Sequence, residues 1–290
     1  MKITIFTPTY NRSEKLKRLY ESLVIQEYSN LEWLIVDDGS SDDTKEVVRQ
    51  LSLENKIIIN YYYQENAGKQ VAYNTAIDSA VSDIFICIDS DDYLLIDALN
   101  KLTRIFKSKV INNNSCCGVV FLDSSLNGTI IGTVLPSNVE YCKLYDLYKI
   151  HGVCGDKGIA FLTNVIKKYR FPIQESEKFI TESLLYNRIN QQYEFYCLNE
   201  ILEVRDYQEN GLSSKYNMLL IDNPKGASLY YKERSSLIRS YIELLRNNSQ
   251  YFRFSFHSKN RNKLKKLKNK DVFILSYLIG YTLYIKDIYL

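Results

Sequence analysis

Two histidines, four prolines, one tryptophan and eleven glycines in 290 residues exclude several classes of protein at once. So little proline and glycine rules out a collagen-like or linker-dominated chain. His151 and His257 alone leave little room for Ser-His or Cys-His catalysis, so carboxylates must carry any acid–base chemistry. The six cysteines, Cys87, Cys116, Cys117, Cys142, Cys154 and Cys197, show no C-x-x-C spacing. That argues against a zinc site and for reduced, mostly buried thiols. No run of about 18 uncharged apolar residues occurs, which predicts that no helix spans a bilayer. From Met1 to Tyr10 there is neither a long apolar region nor a small-residue cleavage site of an export signal. The expectation is a soluble, cytoplasmic chain.

What the sequence does hold is enough apolar residue, 46%, against 24% charged, to bury a sizeable core. The net charge of +3 hides an asymmetry: residues 1–110 carry 17 acids against 13 bases, whereas residues 251–270 carry eight bases and no acid. An acidic head that binds an anion needs a cation between them, and a basic tail suits phosphate.

Along the first hundred residues strand and helix signals alternate. Ile3–Phe6, Trp33–Val36, 56–63 and Ile84–Ile88 read as strands. Between them, a segment opening at Ser13 with Leu16, Leu19, Tyr20, Leu23 and Val24 on one face, then Thr44–Leu51 and Asn66–Ala80, read as helices. This order predicts right-handed crossovers and a doubly wound, mainly parallel α/β sheet whose ligand site lies beyond the strand carboxyl ends. Three polar clusters fall at such ends and are expected to share one rim: 7–11, Asp37-Asp38-Gly39-Ser40 and Asp89-Ser90-Asp91-Asp92. Further on, Val119–Asp123 and Thr129–Val134 across Asn127-Gly128 predict a hairpin. Helices are expected over 164–170, 182–192 and 228–247, with short strands at Glu194–Leu198 and Ile201–Val204. Residues 1–215 are expected to form one domain, with halves 1–110 and 111–215, and 216–290 a helical, basic and apolar extension.

Three carboxylates within Asp89-Ser90-Asp91-Asp92 exceed what a helix cap needs, and like charges so close are best tolerated around a cation. Oxygen-only ligands suit Mg2+ or Mn2+ bridging to phosphate. A calcium loop does not fit, because Leu94 stands where its turn needs glycine. A carboxylate among Asp37 and Asp38 can accept from a base edge or a ribose hydroxyl. Tyr10 can lie against a nucleobase, Arg12 can meet phosphate, and Gly68 with Lys69 offers close backbone approach and positive charge to an anion.

Together, Pro8-Thr9-Tyr10-Asn11-Arg12, Val36-Asp37-Asp38-Gly39-Ser40, Asn66-Ala67-Gly68-Lys69 and Asp89-Ser90-Asp91 resemble the family-two glycosyltransferases of the GT-A fold, of the bacterial surface-polysaccharide type. The resemblance implies a nucleotide-diphospho-sugar donor, usually a UDP-sugar, a Mn2+ or Mg2+ cofactor, and inversion at the anomeric carbon, with 1–110 as the nucleotide-sugar-binding half of the domain and 111–215 as its acceptor half. It implies that Asp38 reads the uracil, that Tyr10 and Pro8 line the base, and that Asp89 and Asp91 serve ribose and metal, with Asp92 sharing the metal. Thr9, Asp37 and Ser90 belong to the same donor-side set. The family's general base is often an acid at a helix start, in a Glu-Asp pair; here Glu182 matches, with Ser183 where the Asp would be. Asp156, in Gly155-Asp156-Lys157-Gly158, is the competing base, with Lys157 and Arg205 as diphosphate or acceptor contacts.

The basic run Arg253, Lys259, Arg261, Lys263, Lys265, Lys266, Lys268 and Lys270 precedes a 14-residue apolar stretch, Val272–Ile285. Fourteen residues are too short to span, but they suit peripheral contact with an anionic membrane and a lipid-linked glycan acceptor; nucleic acid is not an expected partner. Two other readings compete. A non-catalytic assembly protein fits the departure at Ser183, and a nucleotidyltransferase would need a glycine-rich loop where Thr7–Arg12 has no glycine.

Overall fold

The computed structural model describes residues 1–207, 215–258 and 270–289. Nine strands and eleven α-helices follow one another among these residues. The first half runs β1 (Ile3–Thr9), α1 (Ser13–Val24), β2 (Leu31–Asp37), α2 (Thr44–Leu53), β3 (Ile58–Tyr63), α3 (Lys69–Ser79), β4 (Ile84–Cys87), β5 (Tyr93–Leu94) and α4 (Ala98–Ile105), which continues as a π-turn to Val110. Then come β6 (Cys116–Ser125), β7 (Tyr141–Cys142), α5 (Leu144–Lys149), β8 (Lys157–Leu162), α6 (Thr163–Ile166), α7 (Ser183–Ile189) and β9 (Glu194–Arg205). Four helices close the chain: α8 (Tyr216–Asp222), α9 (Pro224–Arg234), α10 (Tyr241–His257) and α11 (Lys270–Tyr289).

The strands form one sheet in the order β3-β2-β1-β4-β8-β6-β9-β5, with β7 on β9. The doubly wound expectation holds for its first four strands, all parallel, with β1 central. Their near-continuous apolar runs are what burial on both faces requires. Ile3, Ile5, Trp33 and Ile35 pack with Leu16, Leu19 and Val48 of α1 and α2. Phe6 and Phe85 stack at 5.8 Å between ring centroids and meet Tyr73 of α3. In register Thr9 lies opposite Asp37, so β1 and β2 end together, while β4 stops with Cys87 opposite Phe6, three residues earlier. The chain reverses its direction across the sheet between β1 and β4, which is where such sheets hold ligands.

Beyond β4 the pattern departs from expectation. β8 joins β4 antiparallel, β6 joins β8 antiparallel, and β9 joins β6 parallel with register shifts. The hairpin expected across Asn127-Gly128 is reduced to a single bridge, Ser124 to Ile130, because the chain after Ile131 leaves to meet the Cys154–Gly155 segment. The helix expected over 164–170 is only α6, and the two short strands are one long β9. The helix expected over 228–247 is broken: α9 ends at Arg234 and α10 starts at Tyr241, capped by Ser240.

Two compact units result, Met1–Arg170 with Gln192–Gln208, and Phe171–Gln191 with Glu209–Leu290. Residues 171–191 therefore group with the C-terminal helices rather than with the expected acceptor half. In the second unit Glu177 caps α9, its two oxygens taking the Lys225 and Gly226 N–H groups at 2.7 Å each. α10 and α11 pair through aromatic contacts of Phe252 and Phe256 with Phe273, Tyr277, Tyr281 and Tyr284. Asp287 of α11 takes Arg253 and His257 of α10. Over Val272–Tyr289 α11 is long and apolar enough to cross a membrane by length and composition, which corrects the estimate of 14 residues. Most of the basic run, Lys259 to Lys268, lies outside the described residues.

Candidate active site

The three polar turns meet within the first unit, and their contacts close a ring. Asp38 N–H donates to Thr9 O at 2.9 Å, tying the end of β2 to the end of β1. Asn11, with φ of 51°, takes Ser41 N–H on its Oδ1 and gives its own N–H to Ser40 Oγ, both at 2.8 Å. Arg12 pairs with the Asp91 carboxylate, joining β1 to the acidic turn. Lys69, at the start of α3, pairs with Asp89 Oδ1 at 2.6 Å. Asp38 then closes the ring by accepting from Ala67 N–H at 2.8 Å and Gly68 N–H at 2.9 Å. Gly39 permits this approach: its φ is +86°, and a Cβ there would lie 2.8 Å from Asn66 N.

Asp38 is also donated to by Gln64 Nε2 at 2.7 Å and Asn66 Nδ2 at 3.3 Å. All four lone-pair directions of its carboxylate therefore face protein donors. Its observed task is to shape the 64–68 turn, so the uracil-reading role expected of it gains no support here. Asp37 is 1% exposed and takes Ser40 N–H and the Tyr61 hydroxyl, so it too is spent inside the protein. Tyr10 is 51% exposed and available to stack, while Pro8 lies in register with Val36 and Ser90 is buried in its turn. Thr9 Oγ1 is buried at the strand end without a hydrogen-bond partner.

The acidic turn has two sides. Toward the ring, Asp89 and Asp91 each carry one basic partner and keep lone pairs to spare. Burial would raise the Asp89 pKa, but Lys69, helped by Arg205 and Arg12, holds it below the ordinary carboxylate range. Behind, Asp92 is 5% exposed, accepts from Asp206 N–H at 2.9 Å and faces Arg205 Nη1 at 3.6 Å. Burial and the neighbouring Asp89 push its pKa up to about 7. Both Asp92 oxygens thus have partners on the far side of the turn, one of which the expected third metal ligand would have to give up.

Arg205 spreads over Asp123 at 2.6 Å, Glu203 at 3.5 Å and Asp92, so its guanidinium is spent on three carboxylates rather than offered to a diphosphate. Burial drives the pKa values of Asp123 and Glu203 upward. Lys157 is likewise committed: its ammonium donates to the carbonyls of Ile131, Cys154, Gly155 and Asp156 at 2.8–3.4 Å. A Cβ on Gly155, at φ +75°, would fall 2.7 Å from Gly132 Cα, so two glycines let these strands of chain cross. Asp156 itself is exposed and takes the Tyr207 hydroxyl at 2.6 Å. Glu182 stands at the N-cap of α7 in the second unit, 3.4 Å from the Tyr186 hydroxyl.

Among the described residues no three His, Cys, Asp or Glu side chains converge as a preformed metal cage. The donor chemistry of Asp89 and Asp91 nonetheless fits a hard divalent ion, which commonly uses one or two carboxylates and completes its shell with substrate phosphate and water. Sequence reasoning missed Gln64, Tyr61, Arg18, Asp123, Glu203 and Asp206. None lies in a recognisable motif, and Asp206 meets Asp92 across 114 residues of chain.

Residues 4–159 match the family described as Glycosyl transferase family 2. Over 106 residues the chain is 35% identical to GalNAc(5)-diNAcBac-PP-undecaprenol beta-1,3-glucosyltransferase of Campylobacter jejuni, covering 36% of this chain and 34% of that protein. The chain thus spans about a third of that relative's length, and only 15% of another's, the glycosyltransferase GlyA of Streptococcus pneumoniae. Among solved structures, S. aureus TarS 1-349 in complex with UDP-GlcNAc aligns with a TM-score of 0.64 at 19% identity, covering 99% of this chain and 81% of that one. The mannosyltransferase PcManGT of Pyrobaculum calidifontis, in complex with GDP-Man and Mn2+, aligns with a TM-score of 0.58 at 15% identity, covering 99% and 87%. These likenesses establish the α/β GT-A fold with its C-terminal helical region. With more than half of its length inside the matched stretch, the chain belongs to glycosyl transferase family 2.

Proposed function

We propose that this protein transfers a sugar from a nucleotide-diphospho-sugar, a UDP-sugar by preference, to a hydroxyl of a growing lipid-linked surface glycan, with inversion. The observation that carries this reading is the ring of contacts among the turns that follow β1, β2 and β4, in which Arg12 pairs with Asp91, Lys69 pairs with Asp89, and the exposed Tyr10 stands in the first turn. Tyr10 supplies a face for the base. Asp89 and Asp91 would hold Mn2+ or Mg2+, which supplies charge stabilisation to the departing diphosphate. Arg12 and Lys69, the basic partners of Asp91 and Asp89, would supply positive charge to the diphosphate. Glu182 is the proposed general base toward the acceptor hydroxyl, and Asp156, already bound to Tyr207, an acceptor contact.

The membrane enters as a proposed partner at 251–290. The exposed apolar residues of α11, Ile274, Leu275, Leu278 and Tyr281, follow directly on the basic run in sequence. That pairing suits a surface of anionic headgroups and the lipid of the acceptor.

A UDP-release screen over donor sugars tests the whole reading, run with lipid-linked acceptor in anionic and in neutral vesicles, with and without Mn2+. Transfer is expected only with Mn2+ or Mg2+, faster on anionic vesicles, and lowered 10²–10⁴-fold in Glu182→Gln with donor binding retained. Transfer unaffected by chelation would remove the metal from the scheme. Full activity in Glu182→Gln would move the base to Asp156.

A further inference from the structure

The ring explains the front of the acidic turn but not what holds its main chain. Asp91 is gripped twice from one direction. Arg12, just before α1, takes its carboxylate, and Arg18, within α1, donates through Nη2 to its main-chain carbonyl. The same Arg18 nitrogen reaches Asp206 Oδ2 at 2.7 Å, and Lys15 Nζ reaches that oxygen at 3.2 Å. Asp206 answers through its backbone, whose N–H holds Asp92 Oδ1 at 2.9 Å. The Arg18 guanidinium also lies 5.0 Å from the centroid of the Tyr93 ring, the residue that ends the turn. Asp206 is the residue after β9, and Tyr93 opens β5, which pairs with β9.

Arg18 therefore touches Asp91 and Tyr93 directly and Asp92 through Asp206. It is the one side chain in the described contacts that joins the turn's main chain, its following strand and the end of β9. Fixing the Asp91 carbonyl fixes the peptide plane and the direction of the Cα–Cβ bond, and so where the carboxylate points. A planar guanidinium suits the task, because one terminal nitrogen with two hydrogens serves a carbonyl and a carboxylate together while the group lies over a ring.

We propose that Arg18, locked by Asp206, is a positioning residue that aims the Asp91 carboxylate at a divalent cation carried with the nucleotide. The inference rests on the donor-site reading above, yet it makes a demand that reading does not: residues with no contact to the nucleotide must govern how much Mn2+ strengthens its binding. Groups that orient a metal-bound carboxylate typically matter by 10–100-fold in metal affinity.

Calorimetric binding of UDP to the full chain, with and without Mn2+, measures this increment directly. Arg18→Met keeps an unbranched stem against Tyr93 but removes the donors. It is expected to lose the Mn2+-dependent increment by about tenfold or more, while metal-free UDP affinity stays within about twofold of wild type. Asp206→Asn is expected to show a smaller loss of the same kind, and Arg18→Lys to recover part of it. An unchanged increment in Arg18→Met overturns the inference, and so does an equal loss with and without Mn2+, which marks general damage to the fold. A wild-type chain whose UDP affinity ignores Mn2+ overturns the metal reading and this inference together.

Discussion

Asp89 and Asp91 on one side of the acidic turn, and Asp92, Asp123 and Glu203 on the other, are the same chemistry put to opposite uses. In front, each carboxylate has a single basic partner on a flexible, partly exposed stem, Lys69 or Arg12. Behind, three carboxylates share one guanidinium, and all three are at most 5% exposed. An exposed pair exchanges partners cheaply, because water and an incoming cation compensate what is broken. A buried set cannot, since any member left alone is an uncompensated charge in low dielectric. Under the proposed function the front is where a cation and an anion would be received, and the back is a fixed anchor for the turn that presents it.

If that division is right, the two sides fail differently. The largest effect should come from the rear. Arg205→Met leaves three buried acids without their cation, and unfolding by denaturant should show a loss of about 3 kcal/mol or more, in the range seen when one partner of a buried pair is removed. Stability within about 0.5 kcal/mol of wild type would mean that these acids are already neutral and need no partner.

Asp91→Ala should do the reverse: Mn2+-dependent UDP binding, read by calorimetry, disappears while the unfolding curve barely moves. The side chain is partly exposed and its ion-pair partner, Arg12, can turn to solvent. Loss of stability comparable with that of Arg205→Met would erase the distinction between front and rear.

The two sides also differ in how far the sequence reveals them. The front is built from residues adjacent in sequence at the ends of β1, β2, α3 and β4, where turn chemistry, strand ends and charge coincide. Parallel strands buried on both faces advertise themselves as apolar runs, so the rim followed from their order. The rear depends on pairings such as Arg205 with Asp123, 82 residues apart, in strands whose direction and register no local period encodes. For the same reason Asp92 reads as a metal ligand beside Asp91, and Arg205 and Lys157 read as diphosphate or acceptor contacts, with none of their buried partners visible in the sequence. Charge is visible in a sequence, but the partner that consumes it is not. The break between α9 and α10 went unread too, because Ser235 to Ser240 interrupt an otherwise helical composition without proline or glycine.

The smallest expected effect tests the rear most finely. Burial holds Glu203 protonated far above its ordinary 4.5, with Asp123, Asp92 and Asp89 adding to the rise against the pull of Arg205. Below about pH 4 the side chain is neutral whether the chain is folded or not, so its contribution does not change there. As pH rises further, the unfolded chain gives up this proton while the folded one keeps it, and stability falls by up to about 1.4 kcal/mol per pH unit for that group. Asp92 acts in the same sense up to about 7. Glu203→Gln copies the neutral acid and removes one of these two contributions. Its unfolding free energy should match wild type near pH 4 and exceed it near pH 7, with a shallower fall between. Parallel curves for the two chains would mean that Glu203 is ionised beside Arg205, that the rear carries more negative charge than Arg205 balances, and that its contrast with the front lies in exposure alone.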